Sequence, residues 1–407
     1  MRLVRLRELI LRRLRALPPA QHAWARYRRR RHERRVTPFL KDGSGRAGPL
    51  PLGVVYEATM RCNLHCGFCY VGDLLNIEGQ WREEMPLEAL RRAFPEQEGL
   101  QVSLTGGEIF MRKDILAVLD LFRDKGYTCG YLTTNGTIIN EERAHALAQL
   151  ADAGFLKHIS VSIDGPGEQH DRARGLTGTF ARTAAGLRRL QEAAARTGAP
   201  LRISINTTVA QESLDTLEQM VDVAESLGVD AIGVNHLMYA TPEEVAETAR
   251  LLGLDGTAAI STFVTEDPLV PPALVAQRVE ALRQRCRAKG IRFDVRPKVV
   301  QAITEPYYTP GAPLAGRCLY PFQYARVSFS GKVYFCPFIR VEVGDLTQST
   351  LADIWNGERY VELRRRLLEQ GIFPACRRCC KVELFPAPVP AAVERPARRA
   401  IPLVPVS

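Results

Sequence analysis

Residues 62–69 read Cys62-Asn63-Leu64-His65-Cys66-Gly67-Phe68-Cys69, three cysteines spaced by three and then two residues, close behind a β-rich run at 53–59. Thiolates are soft ligands suited to zinc or iron–sulfur clusters, and a [4Fe–4S] cluster normally takes four of them. The local run supplies three. Three ligands on one short loop can hold a cubane by three irons and leave the fourth iron open for a substrate or cofactor. A three-cysteine zinc loop, completed by His65 or a remote ligand, is the other reading of the same residues.

Outward from that loop, short β-rich runs alternate with longer amphipathic ones. Strands are expected at 53–59, 101–105, 128–134, 157–163, 201–209 and 230–237, and helices at about 86–94, 112–125, 141–153, 179–197 and 213–227. Strands alternating with helices in this way require parallel crossovers, and parallel sheets bury both faces. The fold class is therefore α/β, a (β/α)6 partial TIM barrel, in which chemistry gathers on loops at the C-terminal ends of the strands. The cysteine loop follows the first strand, where that rule places it.

Other strand ends carry polar groups. The second runs into Thr105-Gly106-Gly107-Glu108, where paired glycines let backbone approach a ligand and the acid can accept hydrogen bonds from an ammonium. The third runs into Thr133-Thr134-Asn135-Gly136, either a cofactor-facing edge or a turn before a helix. Alternation along the fourth puts Ser160, Ser162 and Asp164 on one side. His170-Asp171 and Arg174-Gly175 follow, as parts of the site or as an internally bridged loop. Asn206, Asn235 and His236 could face a substrate. A helix at about 273–289 and a short strand at 291–295 read as a bridge.

Residues 301–380 change character, with more glycine, proline and aromatics and five cysteines. Cys318 and Cys336 bracket a hairpin turning at Ser330-Gly331. A helix around 351–369 leads to Cys376-x-x-Cys379, so four thiolates can form a closed site for zinc or for an iron–sulfur cluster. Cys380 either competes with Cys379 or stands apart. Cys129 and Cys286 are isolated and read as buried structural thiols.

Residues 1–36 hold thirteen arginines against Glu8 and Glu33, so the net charge of +10 belongs to an arm. Its Leu3, Leu6, Ile10, Leu14 and Leu17 form a helical stripe. The combination suits an anionic membrane surface better than nucleic acid, which has no use for the stripe, and a solvated tail is the plain alternative. No run of eighteen apolar residues and no signal peptide appears, and the clustered cysteines suit a reducing compartment, so the chain is read as cytoplasmic, peripheral at a membrane if the arm binds one. The organisation expected is arm and linker (1–50), barrel core (51–240), bridging helices and strand (241–300), cluster-binding extension (301–380) and a disordered Pro-rich tail (381–407).

Cys62/Cys66/Cys69, Gly106-Gly107-Glu108, the Ser162 to Gly165 run and the four-cysteine extension together resemble the radical S-adenosylmethionine (SAM) superfamily with a twitch/SPASM-type auxiliary domain. The resemblance covers about residues 52–380. It implies a SAM-binding [4Fe–4S] cluster on the triplet, with SAM chelating the open iron and Phe68 against its adenine. It further implies SAM contacts from Gly106, Gly107, Glu108, Asn135, Ser162, Asp164 and Arg174. One auxiliary [4Fe–4S] cluster on Cys318, Cys336, Cys376 and Cys379 is expected, because the three further cysteines of a full SPASM pattern are not found. The expected activity is that of a radical SAM oxidoreductase or tailoring enzyme, supplied with electrons by a flavodoxin or ferredoxin. Its substrate is a small molecule or, alternatively, a ribosomally made peptide. Oxidation, bond formation or epimerisation would be the outcome, and Cys380 is the candidate hydrogen donor for the last. A non-catalytic iron–sulfur or zinc scaffold is the reading from another class.

Overall fold

The computed structural model describes residues 36–267 and 270–385. The arginine-rich arm and the end of the proline-rich tail lie outside the described residues.

In chain order the strands are β1 (Gly53–Thr59), β2 (Gln101–Gly106), β3 (Thr128–Thr134), β4 (His158–Ser162), β5 (Arg202–Val209) and β6 (Ala231–His236), then the short pair β7 (Tyr239–Ala240) and β8 (Phe263–Val264). They continue with β9 (Arg292–Arg296), β10 (Ala315–Cys318), β11 (Tyr324–Val327), β12 (Lys332–Tyr334), β13 (Glu342–Asp345) and β14 (Val382–Phe385). One ten-stranded sheet runs β13-β12-β11-β1-β2-β3-β4-β5-β6-β9. Every pairing from β11 to β9 is parallel, and the β11–β12 and β12–β13 pairings are antiparallel. All seven residues of β1 are buried, as a parallel strand covered on both faces must be.

Helices between the strands start and stop where the local chemistry directs. The Asn140 side chain accepts the Arg143 N–H at 2.9 Å and caps Glu141–Asp152. Thr241 and Glu244 form a capping box at the head of Pro242–Leu252. Helix Thr179–Thr197 lays Leu187 and Leu190 into the core and ends at Gly198, whose φ of 66° needs glycine.

The sheet is larger than the alternation predicts. The strand expected as part of a bridge pairs with β6 as β9, and the hairpin of the extension enters the same sheet by pairing β11 with β1. The helix expected at 213–227 is broken into Gln211–Leu214, a 3-10 turn at Leu217–Gln219 and Met220–Ser226. Ser213 Oγ donates to the Thr208 carbonyl and accepts the Ala210 N–H, bonds that cap the start of the first piece. The helix at 351–369 is likewise two, Leu351–Trp355 and Glu358–Gln370, parted at Gly357. Val382–Phe385, expected as disordered tail, pairs antiparallel with Ala315–Cys318. The Gly/Pro-rich stretch near residue 48 is also held: Trp355 Nε1 donates to the Gly48 carbonyl at 2.9 Å, and Asn356 Oδ1 accepts the Ala47 N–H at 3.0 Å.

Candidate active site and auxiliary cysteine cluster

The cysteine loop leaves β1 and is braced from four directions. Asn76, held at φ 57°, exchanges two hydrogen bonds of 2.9 Å with the backbone of Cys62. The Gly107 N–H donates to the Thr59 carbonyl at 2.9 Å and the Glu108 N–H to that of Arg61 at 2.8 Å. A Cβ at Gly107 would stand 2.3 Å from the Arg61 oxygen, so this glycine is required by the approach of the cysteine loop itself. Asn135 Nδ2 donates to Asn63 Oδ1 at 2.9 Å, and Asn63 Nδ2 to Thr137 Oγ1 at 2.9 Å. Finally, the His65 N–H donates to the Arg174 carbonyl at 3.2 Å.

Glu108 is buried. It accepts from Thr134 Oγ1 at 2.8 Å, from the Asn135 N–H at 2.6 Å and from the Phe110 N–H at 3.2 Å, and burial raises its pKa against these bonds. Asn135, which the sequence left between edge and turn, thus links the Glu108 carboxylate to the cysteine loop. Asp164 accepts the Thr208 N–H at 2.7 Å and forms an ion pair with Arg174. Arg174 places Nη1 3.6 Å from Cys66 Sγ and its guanidinium carbon 5.6 Å from the Phe68 ring centroid. The neighbouring His-Asp pair is structural: His170 Nδ1 accepts the Asp164 N–H at 3.0 Å, and Asp171 accepts the N–H groups of Gly178 and Phe180 at 2.5 and 2.7 Å.

A cavity of about 840 Å³ fills the barrel. Cys66, Phe68, Cys69 and Arg174 line it at the cysteine loop, and Thr105, Thr133, Ser160, Asn206, Thr208 and Asn235 line it along the strands. Cys62, Gly106, Gly107, Glu108, Asn135, Ser162 and Asp164 are not among the residues of its wall. His236 is in the wall and 3 % exposed; its Nδ1 meets the Tyr308 hydroxyl at 2.5 Å, and burial lowers its pKa to about 4.

The second cysteine group is assembled by three segments. Cys318 ends β10, Cys336 follows β12, and Cys376 and Cys379 come from the loop before β14. Cys336 and Cys376 each neighbour Cys318 electrostatically, as do Cys379 and Cys380, and burial pushes the Cys318 thiol up to about 12. The Ile339 N–H donates to Cys336 Sγ at 3.1 Å, and the Lys381 N–H to Cys379 Sγ at 3.4 Å. Cys380 alone of the five lines the barrel cavity. Cys129 and Cys286 are fully buried, as expected.

The cysteine loop between Cys376 and Cys379 is clamped by Arg378, which sequence reading passed over. Its guanidinium donates to Glu244 at 2.9 Å, to the Tyr307 carbonyl at 2.8 Å and to the Thr309 and Ala312 carbonyls at 2.6 and 2.9 Å. A second buried constellation joins the barrel to the extension: Glu57 on β1 accepts from Arg326 Nη2 and from Arg340 Nη1, both at 2.7 Å. Those two cations, opposed by burial, hold the carboxyl down at about 2.

Among the described residues, no three His, Cys, Asp or Glu side chains converge on one metal-ion position. A cubane binds each thiolate at a separate corner, and Cys62, Cys66 and Cys69 on one loop and Cys318, Cys336, Cys376 and Cys379 in the extension are donors of the type it takes.

Residues 56–224 match the radical SAM superfamily, and residues 318–380 match the iron–sulfur cluster-binding domain SPASM. The chain belongs to the radical SAM superfamily and carries a SPASM domain, and its relatives include enzymes. Its cofactors are accordingly SAM, a SAM-binding [4Fe–4S] cluster and auxiliary iron–sulfur ligation. It is 25 % identical over 79 % of its length to an AdoMet-dependent heme synthase of Oleidesulfovibrio alaskensis, covering 77 % of that protein. It is 31 % identical to a PqqA peptide cyclase of Methylocella silvestris over 46 % of this chain and 48 % of that one. Streptococcus suis SuiB bound to precursor peptide SuiA shares the fold, with a TM-score of 0.54 and 17 % identity over 83 % of this chain and 72 % of that one. No helix among the described residues is long and apolar enough to cross a membrane.

Proposed function

We propose that this protein removes a hydrogen atom from a small-molecule substrate held in the barrel cavity, leading to its net oxidation or to bond formation. The observation that carries this reading is that one cavity is walled both by Cys66, Cys69 and Phe68 and by Cys380, beside the auxiliary cysteines. Cys62, Cys66 and Cys69 would hold a cluster that, with SAM, would supply radical initiation, and Cys318, Cys336, Cys376 and Cys379 would hold a second that would supply an electron sink.

The chain's own groups prepare that chamber. Phe68 offers an aromatic face beside the cationic Arg174, suited to a nucleobase, and the hydroxyls and amides of Thr105, Ser160, Asn206 and Asn235 supply hydrogen bonds along the strands. Arg174 places its guanidinium beside Cys66, with Nη1 3.6 Å from the sulfur. Glu108, Asn135 and Asp164 fix the loop and strand ends, and a direct contact of any of them with SAM is part of the proposal. The likeness to heme synthases along most of both chains favours a small molecule; likeness to the peptide cyclase keeps a ribosomal peptide as the second reading.

Anaerobic reconstitution with iron, sulfide and a flavodoxin or chemical reductant tests the proposal. SAM should be cleaved to 5′-deoxyadenosine, and Cys66→Ala should abolish cleavage. Intact SAM in fully loaded wild-type protein would refute the activity and leave an iron–sulfur scaffold.

A further inference from the structure

Several cations on the cavity wall each have an acid of their own. Arg174 pairs with Asp164, Arg292 with Asp230 at 2.8 Å and Arg296 with Asp294 at 2.9 Å. Arg326, which reaches the wall from β11 and is 4 % exposed, shares its acid. Its Nε and Nη2 donate to Glu57 Oε1 at 3.0 and 2.7 Å, while Arg340, stacked 4.3 Å over the Tyr334 ring, donates to both oxygens of the same carboxylate at 2.7 and 2.9 Å. Neither arginine has another carboxylate within ion-pair distance among the described residues. Two guanidinium groups against one carboxylate leave one positive charge unmatched, and an enclosed unmatched cation is costly until something supplies its counter-charge.

The donors of Arg326 are also incompletely used. Nη2 makes a further bond of 3.3 Å to the Tyr70 hydroxyl, whereas Nη1 has no partner among the described residues and is not one of the enclosed unpartnered atoms, so it keeps open surface on the cavity side. A second group on this wall is unfilled as well. Gln323 is 8 % exposed, and its side-chain amide makes no hydrogen bond among the described residues. Cys336 is an electrostatic neighbour of both arginines, but its sulfur takes the Ile339 N–H at 3.1 Å and bonds to neither guanidinium.

We propose that Arg326 is a carboxylate-binding residue of the chamber, seating an acid group of the substrate on its open Nη1 edge. This rests on the reading of the cavity as the substrate chamber. Glu57 holds the guanidinium plane fixed, so the donor is preorganised, and Arg340 supplies the excess charge without entering the wall. Gln323 offers its amide to the same ligand. Tyr70 directly follows Cys69, so an acid held by Arg326 would stand beside the cysteine loop and leave the rest of the molecule along the polar strand ends of β4 to β6.

The probes are 2-naphthoate and the neutral, similarly shaped 2-naphthamide, titrated calorimetrically into anaerobically reconstituted protein. Wild type should bind the acid about tenfold or more tightly than the amide. Arg326→Met, which leaves Glu57 paired with Arg340, should lose that preference, and Arg326→Lys should keep part of it. Arg340→Met removes charge but no wall group, so it should reduce the preference without abolishing it. No preference in wild type, or an unchanged preference in Arg326→Met, overturns the subsite. If Arg326→Met binds neither probe because it folds poorly, Arg340→Met decides, and an unchanged preference there overturns the subsite too. Loss of auxiliary iron or of SAM affinity from Arg326→Met with the acid preference intact also overturns it, because the cation would then serve Cys336 or the cofactor. SAM cleavage by the same wild-type preparation reports separately on the enzymatic reading.

Discussion

Arg174 meets the cysteine loop twice, with Nη1 3.6 Å from Cys66 Sγ and with its carbonyl on the His65 N–H at 3.2 Å. The backbone contact survives substitution, whereas the charge does not. Arg174→Met should therefore retain the iron of the Cys62/Cys66/Cys69 site but lose positive potential at the thiolate and Asp164's ion-pair partner. We expect 5′-deoxyadenosine formation to fall about tenfold or more, with Arg174→Lys intermediate. Wild-type rates in Arg174→Met would show that the guanidinium only packs.

Gly107→Ala probes the brace behind the same loop. An added methyl would press on the Arg61 carbonyl, which is rigid backbone, and on Cys62 Cβ. Iron content should drop by about half as the SAM-binding cluster is lost while the auxiliary cluster stays. Full iron in this variant would mean that the loop shifts at little cost.

Glu57 couples the first strand to the extension through two buried arginines. Its folded-state pKa, about 2 against a usual 4.5, is depressed, so its contribution to stability is fully present above about 4.5 and lost as pH falls toward 2. Glu57→Gln leaves two buried guanidinium groups without a counter-charge and should cost about 3–5 kcal/mol near neutral pH. In urea titrations the gap between wild type and variant should narrow as pH is lowered through that window. A gap independent of pH would place the effect in packing.

Arg378 lies between Cys376 and Cys379 and is fully enclosed by Glu244 and three carbonyls. Arg378→Met removes donors from all of them at once. The expected outcome is loss of the auxiliary cluster's iron with SAM cleavage preserved, read by iron analysis and 5′-deoxyadenosine yield. Retained iron would show that the β10–β14 pairing suffices to hold the loop.

Sequence reading succeeded where the signal is local. Strands β1 to β6 announce themselves as β-rich runs between turn residues, and Cys62, Cys66 and Cys69 share one loop. It fell short where partners are far apart along the chain. Glu57 and Arg340 are 283 residues apart, Asn63 and Asn135 are 72, and Glu244 and Arg378 are 134. Lys381 was assigned to a tail because its neighbours Tyr131 and Arg296 arrive from other strands. Alternation in β9 could have placed Arg292, Asp294 and Arg296 on one face, but a five-residue strand after a long helix reads equally well as a connector. Glycine at 107 was anticipated, yet for approach to a ligand; the structure shows approach to the chain's own backbone.

The position of β1 between β2 and β11 has a consequence for biosynthesis. Its pairing to β2 can form early, but Gly53 to Tyr56 find Tyr324 to Val327 only after some 270 further residues have been added. Until then one side of a strand that is wholly buried in the finished fold is an open template for the wrong neighbour. Such long-range closure is slow and exposes aggregation-prone intermediates. The nascent chain therefore has reason to engage a chaperone during translation, and maturation of the two cysteine groups is ordered: the first can be shaped before the ribosome has finished, the second only after Cys379 has emerged from the exit tunnel.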